Sequence, residues 1–133
     1  MHSLPIRVYY EDTDAGGIVY YANYLKFCER GRTEFLRAHA ISNSALMAED
    51  GKMFVVRNVA CHYKRPAYLD DMLELQTSID KIGKSSIVMH QVVARESQVI
   101  FDAVITLVCV DKTGKPAALP ASIRNTITPQ TQD

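Results

Sequence analysis

The second half of the chain constrains the fold most, because near Met53 its apolar residues change from helical spacing to the alternation of strands. In residues 72–82, Leu73, Leu75, Thr77 and Ile79 occupy one face of an extended segment, and polar residues occupy the other. Turn signals separate such segments, so we expect consecutive strands to pair as antiparallel hairpins. The predicted strands are Phe54–Tyr63, Met72–Ile82, Ser86–Arg95 and Val99–Asp111.

The first half contains one long amphipathic helix, which we expect to begin near Tyr21–Asn23, after a turn at Asp12–Gly17. Residues at spacings of 3, 4 and 7 define its buried face: Tyr21, Tyr24, Leu25, Cys28, Arg32, Phe35, Leu36 and His39. The other predicted elements are a strand at Pro5–Tyr10, a helix at Asn43–Asp50 and one helical turn around Ala121–Arg124.

A long helix with about five antiparallel strands predicts an α+β fold in which the sheet wraps around the helix. At 133 residues, the chain is expected to form a single domain over 1–133. The last two predicted strands are apolar on both faces, and the helix can cover only one of them. We therefore expect a second copy to cover the other face, which predicts at least a dimer.

Composition excludes several classes of protein. The chain has 15 basic and 15 acidic residues, whereas nucleic-acid-binding proteins usually carry a basic excess, so no nucleic acid partner is expected. The residues before Glu11 form no apolar run, so no signal peptide is expected, and no apolar run reaches the ~20 residues that a membrane span requires. The three widely spaced cysteines fit a reducing compartment, so a cytoplasmic location is expected. The histidines lack metal-ligand spacing, and no metal is expected.

Asp14 is the candidate reactive group, because it lies just upstream of a predicted helix N-terminus. A carboxylate can attack a thioester carbonyl directly, or it can act as a general base on water. The free N–H groups of a helix start can stabilise the oxyanion that either route forms. Gly16 and Gly17 allow the backbone to approach a ligand closely. The alternative is that Asp12 and Asp14 only form the turn, which is common for aspartate.

Two stretches of the sequence carry a resemblance to a known family. DTDAGGIVYYANYLKFCERGRTEFL (residues 12–36) resembles the signature of hotdog-fold acyl-CoA thioesterases of the 4-hydroxybenzoyl-CoA thioesterase family. FVVRNVACHYKRPAYLDDMLELQT (residues 54–77) is most similar to the Tol-Pal-associated YbgC-like subgroup. The resemblance implies a hotdog fold and thioesterase activity. It also implies dimers, often paired into homotetramers, with active sites at subunit interfaces.

The resemblance also assigns site residues. Asp14 matches the catalytic aspartate of the family, the backbone N–H of Tyr21 matches the group that polarises the thioester carbonyl, and Tyr10 matches a tyrosine near the site. No cofactor is implied, because coenzyme A enters as part of the acyl-CoA substrate. YbgC-like enzymes commonly have histidine where this chain has Tyr21, and a backbone donor role survives that difference.

The remaining candidates are substrate-binding residues. The unusually apolar loop before the helix is expected to line the site, and it contains Gly17, Ile18, Val19 and Tyr20. Lys84 and Ser85 follow Gly83 in a motif that resembles the end of a phosphate-binding loop. The P-loop interpretation fails, because position 78 is serine and a strand follows. By the family resemblance, this turn instead contacts the nucleotide end of coenzyme A across the interface.

Two other functions compete with hydrolysis. A hotdog hydratase or dehydratase would need an Asp–His pair near the helix, and His39 is too far along the helix to supply it. A non-catalytic module that binds acyl-CoA or acyl carrier protein, and acts with Tol-Pal envelope partners, would use the same pocket. Asp14 favours the enzyme, because a binding module has no use for a carboxylate beside an electron-poor carbonyl.

Overall fold

The computed structural model describes residues 1–129. One antiparallel sheet of five strands, in the order β1-β3-β4-β5-β2, packs against one long helix, which confirms the predicted α+β hotdog architecture. The strands are β1 His2–Arg7, β2 Lys52–Tyr63, β3 Met72–Ile82, β4 Ser86–Arg95 and β5 Gln98–Asp111. The helices are α1 Asn23–Ala38, α2 Asn43–Asp50 and α3 Ala121–Arg124, with a 3-10 turn at Tyr10–Asp12.

The first strand lies closer to the N-terminus than the predicted Pro5–Tyr10. It begins at His2, which pairs with Thr77, and ends at Arg7, which pairs with Met72. The chain leaves the sheet there because the Asp12 carboxylate accepts the Tyr9 N–H at 2.8 Å and closes the 3-10 turn. The prediction that Tyr10 belongs to this strand is therefore wrong.

The buried face of α1 is turned slightly from the predicted one. Phe27 and Gly31 are buried on it, whereas Leu25 is 40% exposed. Tyr21 precedes the helix and is 62% exposed, so it is not part of this face. The predicted and observed faces differ because contact with the sheet determines which residues of α1 are buried. Gly31 lets α1 approach the sheet closely, since a Cβ there would overlap the Leu75 side chain.

A buried polar network fixes α1 on the sheet. Gln91, which is fully buried on β4, donates from Nε2 to the Cys28 carbonyl at 2.9 Å and to Thr77 Oγ1 at 3.0 Å. Arg32 Nη1 donates to Gln91 Oε1 at 3.1 Å. Since every bond in this network is directional, the network sets the rotation of α1 and hence the position of its N-terminus.

Among the strands, the edge strand β2 exposes the most large apolar side chains. They are 38–49% exposed: Met53, Val55, Val56, Val59 and Tyr63. On β5, only Val99 and Val104 among the large apolar side chains reach comparable exposure. Within the sheet, β2 therefore exposes more apolar surface than the outer face of the last two strands, which the sequence suggested as the face to be covered. No helix within residues 1–129 is both long enough and apolar enough to cross a membrane.

Candidate active site

The segment before α1 folds into a small hairpin. Thr13 and Val19 form an antiparallel bridge, and the N–H groups of Asp14 and Tyr20 donate to the carbonyls of Ile18 and Asp12, both at 2.9 Å. The Gly17 N–H closes the turn onto the Asp14 carbonyl at 3.0 Å. Gly17 has φ +81°, which is a conformation that favours glycine. The predicted turn therefore exists, and it brings Asp14 and Tyr20 onto one hairpin.

Asp14 is exposed and uses one carboxylate oxygen in the turn. Its Oδ1 accepts the Gly16 N–H at 2.8 Å, which is the aspartate turn geometry that the sequence offered as an alternative. Within residues 1–129, Oδ2 makes no hydrogen bond. Asp14 is thus a turn former whose second oxygen faces no competing donor in the described chain.

Asp12 has a different environment from Asp14. It is 8% exposed, and its carbonyl accepts both the Tyr20 N–H and Asn23 Nδ2, the latter at 2.8 Å. Together with the bond from the Tyr9 N–H to its carboxylate, these contacts join the 3-10 turn to the start of α1. Sequence reasoning missed Asn23, whose partner lies 11 residues away across the hairpin.

Tyr21 lies where the hairpin passes into α1. Within residues 1–129, the N–H groups of Tyr21 and Ala22 donate to no protein acceptor. Ala22 is the N-cap of the helix and has no side chain that can cap it. Free N–H groups at a helix start add to the positive end of the helix dipole, so this point favours an oxyanion. The Tyr21 residue is 62% exposed at this point, and its role as a donor stays a prediction.

The hairpin packs against the loop between β2 and β3. The Val19 N–H donates to the Ala67 carbonyl at 2.9 Å, and Ile18 forms a bridge with Tyr68. An ion pair of 2.8 Å between Arg95 and Asp71 holds this loop. This wall of the site was missed, because nothing in the local sequence of residues 64–71 shows that they pair with residues 18–19.

The other aromatic candidates lie nearby. Tyr10 is 82% exposed on the 3-10 turn, and its carbonyl accepts both the N–H and the hydroxyl of Thr13. The rings of Tyr20 and Tyr21 lie 4.9 Å apart. All of the predicted site residues except Lys84 and Ser85 lie within residues 10–21 of the chain: Tyr10, Asp14, Gly17, Ile18, Val19, Tyr20 and Tyr21.

Lys84 and Ser85 lie at the opposite end of the sheet from Asp14. β3 begins on the side of the sheet that faces the hairpin, next to Asp71, whose carbonyl accepts the Val8 N–H. The last residue of β3, Ile82, immediately precedes the turn that carries Lys84. Eleven strand residues span about 35 Å. The turn is held by Arg124, which donates to the carbonyls of Gly83 and Lys84. Within one chain, these residues do not join the group around Asp14.

The structure does contain an Asp–His pair, but it lies away from the helix. His62 Nδ1 and Asp102 Oδ1 are 3.0 Å apart, and Lys64 Nζ contacts the same carboxylate at 3.1 Å. The neighbouring Tyr63 side chain contacts Tyr24 on α1, so His62 points to the other face of the sheet. This position does not fit the hydratase alternative. Within residues 1–129, no group of three potential metal ligands is present.

Comparison with known proteins identifies the family. The family model described as the thioesterase superfamily matches residues 16–101. The chain is 53% identical to the acyl-CoA thioester hydrolase YbgC of Escherichia coli O6:H1 over 121 residues, which are 90% of each chain. It is 41% identical to the acyl-CoA thioesterase YbgC of Haemophilus influenzae over 123 residues, covering 92% of this chain and 90% of that protein.

A solved structure agrees. The crystal structure of a probable thioesterase from Bartonella henselae superimposes with a TM-score of 0.87 at 36% identity, over 90% of this chain and 98% of that one. The segment that the family model matches, residues 16–101, includes α1, the loop of residues 64–71 and most of the sheet. The chain therefore belongs to the thioesterase superfamily.

Proposed function

We propose that this protein is an acyl-CoA thioesterase, which hydrolyses an acyl-CoA thioester to a free acid and coenzyme A. The observation that carries the proposal is the Tyr21 N–H just before α1, which is unpaired within residues 1–129 and follows the hairpin that holds Asp14. The names of the relatives that match most of the chain support the same reaction.

In this proposal the thioester carbonyl oxygen accepts the Tyr21 N–H, and the free Oδ2 of Asp14 faces the carbonyl carbon. Asp14 either attacks that carbon and expels the coenzyme A thiolate, leaving a mixed anhydride for water to hydrolyse, or removes a proton from an attacking water. Both routes place negative charge on the carbonyl oxygen. A preorganised backbone donor stabilises that charge, and removal of one such donor typically costs ~10²–10³ in kcat.

The substrate contacts follow from the same hairpin. Gly17 has no side chain to obstruct an approaching ligand, and Ile18, Val19 and Tyr20 provide apolar surface for the acyl group. Tyr10, on the 3-10 turn, is assigned to the site by the family resemblance. Lys84 and Ser85 bind the nucleotide end of coenzyme A in a neighbouring subunit, because they lie too far from Asp14 to act in their own chain. No cofactor beyond the substrate takes part.

A homo-oligomer, either a dimer or a dimer of dimers, is part of this proposal. The apolar side chains of edge strand β2 are 38–49% exposed, and an edge strand can extend its sheet by pairing with another chain. A second copy also brings its own Lys84 and Ser85. A cytoplasmic location agrees with the reduced state of all three cysteines.

The alternative is a module that binds acyl-CoA or acyl carrier protein without reacting, acting with Tol-Pal envelope partners. The Oδ2 atom of Asp14, which is free of hydrogen bonds within the described residues, favours catalysis over this alternative.

The test is release of coenzyme A by the wild-type protein from a panel of acyl-CoA substrates, from short aliphatic to long-chain and aromatic, measured with a thiol reagent. We expect turnover of at least one class above the rate without protein. If no substrate turns over, but an acyl-CoA binds in calorimetry, the binding module replaces the enzyme. Turnover that persists after Tyr21, which precedes α1, is replaced by proline and so loses its N–H would place the site elsewhere.

A further inference from the structure

Tyr63, the last residue of β2, contacts the proposed oxyanion site from the sheet. Its hydroxyl donates a hydrogen bond to the backbone carbonyl of Tyr21 at 3.0 Å, across 42 positions of the sequence. In a continuous helix the Leu25 N–H would supply this bond, but it donates to Ala22 instead, at 3.2 Å. Among residues 1–129, the Tyr63 hydroxyl is the one group that donates a hydrogen bond to the Tyr21 carbonyl.

The Tyr63 ring is held by aromatic neighbours on three sides. Its centroid lies 5.1 Å from that of Phe101, 5.6 Å from that of Tyr24 and 6.1 Å from that of Tyr21. Tyr24 and Phe101 are themselves buried and stacked at 4.8 Å, so they form a rigid support. Ring contacts of this kind fix the direction of the hydroxyl independently of its hydrogen bond.

The hydroxyl is protonated throughout the pH range in which thioesters are stable. Burial, and then the neighbouring Cys61 thiol, raise the pKa of Tyr63 to about 12. A group that keeps its proton remains a hydrogen-bond donor, so the bond to Tyr21 does not depend on working pH.

We propose that Tyr63 is a positioning residue for the proposed thioester hydrolysis, in which its hydroxyl holds the Tyr21 backbone so that the Tyr21 N–H stays aimed at the substrate oxyanion. The inference rests on the proposed function. The other bonds to this segment, from the Tyr20 N–H to Asp12 and from the Asn23 N–H to Tyr20, hold its two flanks. Tyr63 is the contact that reaches Tyr21 itself and joins it to the sheet.

The expected consequence concerns the transition state. An oxyanion donor gains strength as charge develops on the carbonyl oxygen, so a donor that is poorly aimed lowers kcat more than it weakens substrate binding. A single neutral hydrogen bond corresponds to a change of up to about 10-fold.

The experiment compares Tyr63→Phe with Tyr9→Phe and wild type, using the acyl-CoA that wild type hydrolyses best. Tyr63→Phe removes only the hydroxyl and keeps the ring contacts. Tyr9→Phe removes an exposed tyrosine hydroxyl that makes no hydrogen bond within residues 1–129. We expect kcat to fall by up to about 10-fold in Tyr63→Phe only, with KM changed less than about 2-fold and the protein still folded at the assay temperature.

A second readout does not depend on turnover. Hydrogen bonding to the Tyr21 carbonyl polarises the Tyr21–Ala22 peptide group. Loss of the bond should therefore shift the Ala22 amide nitrogen resonance and the Tyr21 carbonyl resonance in Tyr63→Phe, and leave both unchanged in Tyr9→Phe.

Three results would overturn the inference, and they can be told apart. Equal kcat values in the two variants would remove the positioning role while leaving the thioesterase intact. A fall in kcat that is accompanied by an equal loss of folded protein, without the two resonance shifts, would make Tyr63 a packing residue. Absence of turnover in wild type would refute the proposed function, and the inference with it.

Discussion

Gly31 lies where α1 comes closest to the sheet. A Cβ at this position would overlap the Leu75 side chain and would lie 3.1 Å from Gln91 Nε2. Leu75 and Gln91 are both fully buried, so neither has open space to move into. The absence of a side chain at residue 31 therefore sets the distance between α1 and the sheet.

Replacing Gly31 with alanine should lower stability. In an exposed helix interior the same change would stabilise by ~1 kcal/mol, because alanine favours helix. Here overpacking of a closed core costs ~1–3 kcal/mol, so after the helix gain we expect a net loss of up to about 2 kcal/mol and a Tm lower by up to about 8 °C. Circular dichroism melts would measure the change in Tm. The double variant Gly31→Ala/Leu75→Val should regain part of the lost stability. A Gly31→Ala variant that is more stable than wild type would contradict this packing.

The aspartates of the hairpin show how far single residues can be interpreted from the sequence. The turn at Asp12–Gly17 was predictable, because aspartate and glycine have strong local preferences. The separate environments of Asp12 and Asp14 were not, since they depend on Asn23 and on the start of α1. Alternation would have placed both aspartates on one face of a strand, whereas the 3-10 turn at Tyr10–Asp12 separates them.

At the level of the secondary-structure elements, β2 and β5 form the longest pairing at the edge of the sheet. Asp102 on β5 faces His62 on β2 directly in the register, and Lys64 reaches the same carboxylate. Burial would raise the pKa of Asp102, but the hydrogen bonds from His62 and Lys64 outweigh it and hold that pKa below its usual value. The folded protein therefore favours the charged form of this carboxylate.

The Asp102 cluster predicts a pH-dependent effect on stability. A carboxyl group whose pKa is lowered in the folded state stabilises above its unfolded pKa, and that contribution is lost as the pH falls through the folded pKa. We expect Asp102→Asn to lower Tm by about 2–4 °C at pH 7, from the ~0.5–1 kcal/mol typical of partly exposed ion pairs. When Tm is measured for both proteins from pH 7 to pH 2.5, the two Tm values should converge at the acid end. If the difference in Tm between the two proteins stays constant with pH, the loss of stability is due to packing.

The predicted elements agree with the structure where two signals coincide. The bounds of β3 and β4 were predicted to the residue, because alternation and turn residues both mark their ends. α2 was likewise predicted correctly at Asn43–Asp50, where either Ser42 or Asn43 could cap the helix, and the structure has Ser42 as the N-cap and Gly51 as the C-cap. β1 was misplaced by three residues, because its bounds are set by pairing with β3 and by the bond from the Tyr9 N–H to Asp12.

At the level of the whole molecule, the candidate site is assembled from two separate segments of the chain. The hairpin and the start of α1, which are continuous, carry the proposed reactive groups, and both were visible in the sequence. The loop of residues 64–71 and the end of β2 support them through Ala67, Tyr68 and Tyr63. These supporting contacts were not predictable, because they join residues more than 40 positions apart and depend on the order of strands in the sheet.

The central claim is that the Asp14 carboxylate carries the hydrolysis, and kcat of Asp14→Asn tests it most directly. Asparagine keeps an oxygen for the Gly16 N–H, so the hairpin should form as in wild type. Glu11→Gln is the matched control, since it neutralises an exposed acid three positions away on the same stretch. We predict a loss of ~10²-fold or more in kcat for Asp14→Asn, as expected when a positioned acid–base group is removed, with little change for Glu11→Gln. Equal activity of Asp14→Asn and wild type would show that Asp14 only forms the turn, and it would contradict this account of the site.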